Sequence, residues 1–181
     1  MGRQYFQDGP YIDPSVGNAA GPLTSTSAEA LWIGATWTPI FANDPKAGKI
    51  YCVRASGIMS TGASGTLIIN PQYGVLGGTT MGVSQTVTTP INMSAVAWYL
   101  VFDLAFRTIG AAGANSTCIG TGFFATAPYA SAPAAGLSCV IPFGGTSATV
   151  DATINSGITI SKTLSVAGSM TTQWAVIFSR N

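Results

Sequence analysis

Histidine is absent from the 181 residues of this chain, and only 7% of them are charged, seven Lys and Arg against six Asp and Glu. The first absence removes every catalytic arrangement built on an imidazole base, Ser-His-Asp and Cys-His alike, and with them most hydrolase chemistry. The second absence concerns the surface. Soluble domains are about 25% charged, and a compact body of 18.4 kDa exposes about 8,000 Å². Thirteen charges cover little of that, so much of the surface is expected to face other protein. The cations Lys46, Lys49, Arg54, Arg107, Lys162 and Arg180 are scattered. They form no basic stripe to neutralise a run of phosphates, which argues against direct nucleic-acid binding.

Long apolar runs are missing as well. Mean hydropathy is +0.39, yet the longest apolar stretch, Ala95 to Phe106, is interrupted by Asp103, and a spanning helix needs about 20 apolar residues. No membrane span is expected. The first residues, MGRQYFQDGPYIDP, lack an apolar h-region and have Phe6 where myristoylation wants Ser or Thr. A reducing cytoplasm is the expected place of synthesis. Cys52, Cys118 and Cys139 make neither an even framework nor a CxxC pair. Without histidine, zinc is not expected, and buried free thiols are the simpler reading. No cofactor is implied. A two-carboxylate glycosidase would have to choose among Asp8, Asp13, Glu29, Asp44, Asp103 and Asp151. Each has an ordinary structural role open to it, so the chain reads as a non-enzyme.

What the chain has in plenty is Gly, Ser, Thr, Val and aromatics. Residues 1–27 are broken by Pro10, Pro14 and Pro22 and by Gly9, Gly17 and Gly21, and cannot form a core of their own. A solvated tail and an extended arm are the two readings. The apolar residues Tyr5, Phe6, Tyr11 and Ile12 favour an arm docked on a neighbour. Residues 28–181 are a series of β-rich runs separated by turn residues, with no convincing amphipathic helix. KIYCVRASGIMST (Lys49 to Thr61) turns through GASG into GTLIINPQY, which reads as a hairpin. A further strand is expected at about Thr80 to Thr88.

In SAVAWYLVFDLAFRTIG, strand alternation puts Trp98, Leu100, Phe102, Leu104 and Phe106 on one face. Tyr99, Val101, Asp103, Ala105 and Arg107 fall on the other. Asp103 and Arg107 share that second face and are expected to pair with each other or across strands. Strands at Ser161 to Gly168 and Thr172 to Ser179 are expected to be joined through Ser169 and Met170. The fold class is all-β, a jelly-roll-like β-sandwich with an extended N-terminal arm. Trp98, Leu100, Phe102 and Trp174 are expected in the core or a subunit interface, in preference to a sugar-stacking role.

The segments TWTPIFANDPKAGKIYCVRASGIMS, GTLIINPQYG, FRTIGAAGANSTCIGTGFF and TLSVAGSMTTQW resemble those of small virion proteins of tailed bacteriophages, especially phages of actinobacteria. These are the head decoration, or capsid cement, proteins. The resemblance runs from about Leu31 onward and rests on strands and turns, without an active-site signature. It implies a jelly-roll-like subunit that forms a homotrimer on the outer capsid surface and binds the major capsid protein, clamping neighbouring capsomers. A tail or fibre-knob receptor-binding protein, with host-surface glycan as partner, is the alternative.

Overall fold

The computed structural model describes residues 23–32, 38–84, 86–89, 92–127, 140–145 and 147–180. The proposed arm residues Tyr5, Phe6, Tyr11 and Ile12, together with Trp37 and Cys139, lie outside them. Twelve strands follow in chain order: β1 (Glu29–Ala30), β2 (Pro39–Ile40), β3 (Ile50–Thr61), β4 (Gly65–Tyr73), β5 (Thr79–Thr80), β6 (Val87–Thr89), β7 (Met93–Thr108), β8 (Ser116–Thr126), β9 (Val140–Gly144), β10 (Ala148–Val150), β11 (Ser156–Leu164) and β12 (Gly168–Arg180). Every pairing is antiparallel. Among the described residues no helix is long and apolar enough to cross a membrane.

Two six-stranded sheets pack face to face. The larger, sheet A, runs β8, β7, β3, β12, with β9 and β10 sharing the outer edge of β8. Sheet B has β11 and β4 at its centre, with β1 and β2 beyond β11 and β5 and β6 beyond β4. The pairs are nested: β3 with β12, β4 with β11, and β7 with β8 innermost. That nesting is the folded ribbon of a jelly roll, although here β3, and not β12, adjoins β7. On one side the sheets meet at a bridge between Ser84 and Phe143.

Alternation along β7 fills the space between the sheets as expected. Trp98, Leu100, Phe102, Leu104 and Phe106 are all buried, facing Leu67, Ile69, Ile158, Ile160 and Leu164 of sheet B in one apolar cluster. The Trp98 ring stacks on Phe124 with centroids 5.6 Å apart, and its indole N–H donates to the Ile58 carbonyl. Gly57 makes room for that ring. A Cβ there would lie 2.7 Å from Trp98 Cζ2, closer than real carbon contacts allow.

Three expectations are corrected and a fourth is narrowed. The GASG turn does not close a hairpin, because β3 pairs with β7 and β12 whereas β4 pairs with β11, β5 and β6. It carries the chain from one sheet to the other, which buries one face of each strand. Ser169 and Met170 are not a linker; they belong to β12, and the turn back from β11 is at 165–167. The strand expected at Thr80 to Thr88 is two short strands, β5 and β6. Of the two ways Asp103 and Arg107 were expected to pair, Asp103 takes the cross-strand one, opposite Cys52, and no ion pair joins it to Arg107 among the described residues. The register of β7 against β8 shifts between Phe106 and Thr108, which takes Arg107 out of the row that Asp103 keeps.

Leu23 and Ser25, near the end of the expected arm, bond into the sandwich. Leu23 exchanges backbone hydrogen bonds with Met170, and the Ser25 carbonyl accepts from Lys162 Nζ at 2.6 Å.

Candidate interaction surface

The two outer faces of the sandwich differ in chemistry. On sheet B the outward phase of β4 and β11 holds Thr66, Ile68, Asn70, Gln72, Thr159, Ser161 and Thr163, of which Gln72, Thr159 and Ser161 are buried. Sheet A presents apolar side chains in cross-strand rows. Trp174, Ser56, Tyr99, Ala125 and Val140 form one row, and Val176, Arg54, Val101, Phe123 and Pro142 the next. A third holds Phe178, Cys52, Asp103 and Thr121. Strand parity alone accounts for this: β3, β7, β8 and β12 each carry apolar residues at both phases, so burying one set turns the other outward. Phe123 and Val140 are 39% and 60% exposed. Isolated exposed apolar residues are ordinary, whereas these rows are contiguous across five strands, which is the arrangement that interaction surfaces have.

The charged side chains in and beside these rows are Arg54, Asp103 and Arg180. Both arginines lie over the Phe178 ring, 5.3 and 5.5 Å from its centroid, within cation–π range. Asp103 accepts a hydrogen bond from the Cys52 thiol. Burial first, and then that carboxylate, push the thiol up to about 12. Cys118 is pushed up to about 11 by burial. Neither thiol is a nucleophile near neutral pH.

A second apolar group lies at one end of the sandwich, where the loops 41–49, 74–78, 109–115 and 151–155 converge. Phe41, Val75, Leu76, Ile109 and Ile154 are exposed there. Two carboxylates hold these loops in place. Asp44 receives Lys49 Nζ and the Tyr51 hydroxyl, each at 2.6 Å. Burial would raise this carboxyl, but those two hydrogen bonds and the charges of Lys49 and Lys46 outweigh it and hold the group below its ordinary value of 3.8. The same contacts, after burial itself, raise Tyr51 far above the usual phenol range. Asp151 is lowered by hydrogen bonds from the Thr153 hydroxyl and the backbone N–H groups of Thr153 and Gly113. Gly113 takes a left-handed φ of 92° to deliver its N–H. The two acids are thereby engaged in tying loops, and among the described residues no cluster of three His, Cys, Asp or Glu could hold a metal ion.

The four residues expected in a core or an interface divide between the two. Trp98, Leu100 and Phe102 are core, at most 1% exposed. Trp174 is on the outer face of sheet A, half-buried, with its ring 6.3 Å from that of Tyr99. Sequence reasoning placed Tyr99 and Val101 on a second face of β7 without assigning them a use. It missed Val176, Phe178, Phe123 and Val140, because only the register of five strands brings them together.

No family model and no curated protein matches the chain. Among solved structures it is similar to the CBM2 module of the evolved Dit of Lactobacillus casei BL23 phage J-1. That likeness covers 91% of this chain and 99% of the other, at 8% identity and a TM-score of 0.26.

Proposed function

We propose that the chain is a structural protein of a tailed-bacteriophage virion, a decoration or cement protein that binds the outer capsid surface as a homotrimer. Its partners in this reading are the major capsid protein and its own copies, and its role is mechanical, without catalysis. The observation that supports it is the outer face of sheet A: wide, apolar, carrying aromatics and arginines. Those are the residues enriched where proteins meet. The sequence resemblance points the same way.

Cementing works by mass action. A protein that binds the assembled lattice and not its separate capsomers stabilises it by about 2.7 kcal/mol per site at a hundredfold excess over Kd. Trimerisation adds effective concentration, since one docked subunit holds the other two near their sites. Light scattering on the purified chain, followed by co-sedimentation with capsids that lack it, tests the proposal. A trimer that saturates the capsids at hundreds of copies supports it, and a chain that ignores them refutes it.

A tail or fibre-knob protein that binds host glycan is the second reading. It is favoured by the Tyr99 and Trp174 pair, whose half-buried rings could stack on a sugar. Retention on host cell walls without capsid binding would select it.

A further inference from the structure

Residues 23–32 cross from sheet A to sheet B on the side of the sandwich opposite the Ser84 and Phe143 bridge. Leu23 exchanges backbone bonds with Met170 of β12, and Glu29 and Ala30 pair as β1 with Lys162 and Ser161 of β11. The far end is anchored by apolar burial. Leu31 and Trp32 lie in the core, and the Leu31 N–H donates to the Ile160 carbonyl. Between Leu23 and Leu31 the chain reads Thr-Ser-Thr-Ser-Ala-Glu-Ala, with Thr24, Thr26, Ser27 and Ala28 exposed. We propose that residues 23–30 are a strap that opens as a unit about Leu31 while the sandwich stays folded, and that the pair of Lys162 and Glu29 is its latch.

Three observations carry this. The first is that the latch closes a ring of bonds. Lys162 Nζ lies 2.6 Å from Glu29 Oε2 and 2.6 Å from the Ser25 carbonyl, and Glu29 Oε2 accepts from the Ser25 N–H at 3.0 Å. Ser25 is thereby held at both its N–H and its C=O, and both holds run through the ion pair. The second is that the strap covers a charge. Lys162 shares the inward phase of β11 with Ile158, Ile160 and Leu164, and its side chain has no exposure. Burial strips solvation from both charges, and opening gives that solvation back. An apolar cover would have no such return. The third is that the strap itself buries little apolar surface, Leu23 being its one large apolar side chain and only partly buried. Segments with few buried apolar contacts open locally, at free energies below that of global unfolding.

The two states present different chemistry at the boundary between the sheets. Closed, the strap pairs backbone groups of Met170, Ser161 and Lys162 and hides the ammonium. Open, it releases those groups and uncovers a lysine cation beside them. The proposal does not depend on what the virion partner is.

Acylation of amines by a succinimidyl ester, read lysine by lysine by peptide mass spectrometry, tests it on the full chain. Exposed Lys46 sets the rate of an accessible amine. Amide exchange of β7, whose inward side chains are buried, reports global unfolding in the same samples. Lys162 is expected to label about a hundredfold more slowly than Lys46, and Glu29→Gln to remove most of that difference. Below the urea midpoint, the urea slope for Lys162 should be less than about a quarter of that for the β7 amides, because a short strap exposes little surface. Phe106→Leu, which alters ring contacts with Tyr51 and Tyr73, should speed β7 exchange and leave Lys162 labelling unchanged. Labelling of Lys162 that follows the β7 amides in urea, or rises with them in Phe106→Leu, would overturn the proposal, since the lysine would then be reached only by unfolding. Labelling unaffected by Glu29→Gln would overturn the latch.

Discussion

Replacing Glu29 with glutamine takes the carboxylate away from a lysine that has no contact with solvent. Lys162 is 0% exposed, its Nζ lies 2.6 Å from Glu29 Oε2, and its other bond is to the Ser25 carbonyl. Glu29 Oε2 also accepts from the Ser25 N–H. After the substitution the ammonium keeps only neutral acceptors inside the sandwich. Removing one partner of a buried ion pair costs about 3–5 kcal/mol. The Glu29 side chain is 26% exposed, so water reaches the vacated side and the lower end applies, about 3 kcal/mol. For a domain of this size that lowers Tm by roughly 6–12 °C. Urea unfolding gives the free energy and calorimetry the Tm. Glu29→Gln combined with Lys162→Met leaves no buried charge and should recover most of the loss. A cost below about 1 kcal/mol for Glu29→Gln, or a double variant no better than the single, would refute the view that the pair stabilises by compensating a buried cation.

Other outcomes follow from the packing and the charges. Gly57→Ala drives a methyl into the Thr171 backbone carbonyl and the Trp98 ring and should cost about 3 kcal/mol in urea unfolding, near the upper end for overpacking. The lowered Asp44 carboxyl contributes stability that is present above its unfolded value, near 3.9, and is lost as pH falls through the lower folded value. The urea midpoint should therefore hold from pH 7 to 5 and drop below about pH 4, with a smaller drop in Asp44→Asn. In a Cys139→Ser background, the buried Cys52 and Cys118 should stay unreactive to a thiol reagent at about pH 8 until urea unfolds the chain. Val176→Glu places a charge in the apolar rows of sheet A. It should abolish oligomer formation or capsid binding in co-sedimentation, while shifting the urea midpoint by less than about 0.5 kcal/mol equivalent.

The strands were legible in the sequence wherever one strand was informative by itself. In β7 the alternation of Trp98, Leu100, Phe102, Leu104 and Phe106 fixes which face is buried, because parity is a local property. Partners are not local. GASG announces that the chain reverses and says nothing of whether the next strand pairs with the last or crosses to the opposite sheet, and here it crosses. Lys162, in a run of Ile, Ser and Thr, reads as a solvated position. Its burial depends on Glu29, which arrives from a different part of the chain. The apolar surface was legible in outline, as a shortage of charge and a second apolar face on β7. Its extent needed the register that places Trp174, Val176 and Phe178 beside Tyr99 and Val101.

The pairing of β3 with β12 also sets a timetable for synthesis. Ile50 and Arg180 are register partners 130 positions apart, so β3 emerges from the ribosome long before the strand that completes its sheet. At about 5–20 residues per second the gap is several seconds or more, and contacts this distant in sequence form slowly in any case. Until β12 arrives, the rows that contain Trp174, Val176 and Phe178 do not exist. The apolar outer face of sheet A is thus among the last features of the molecule to be completed.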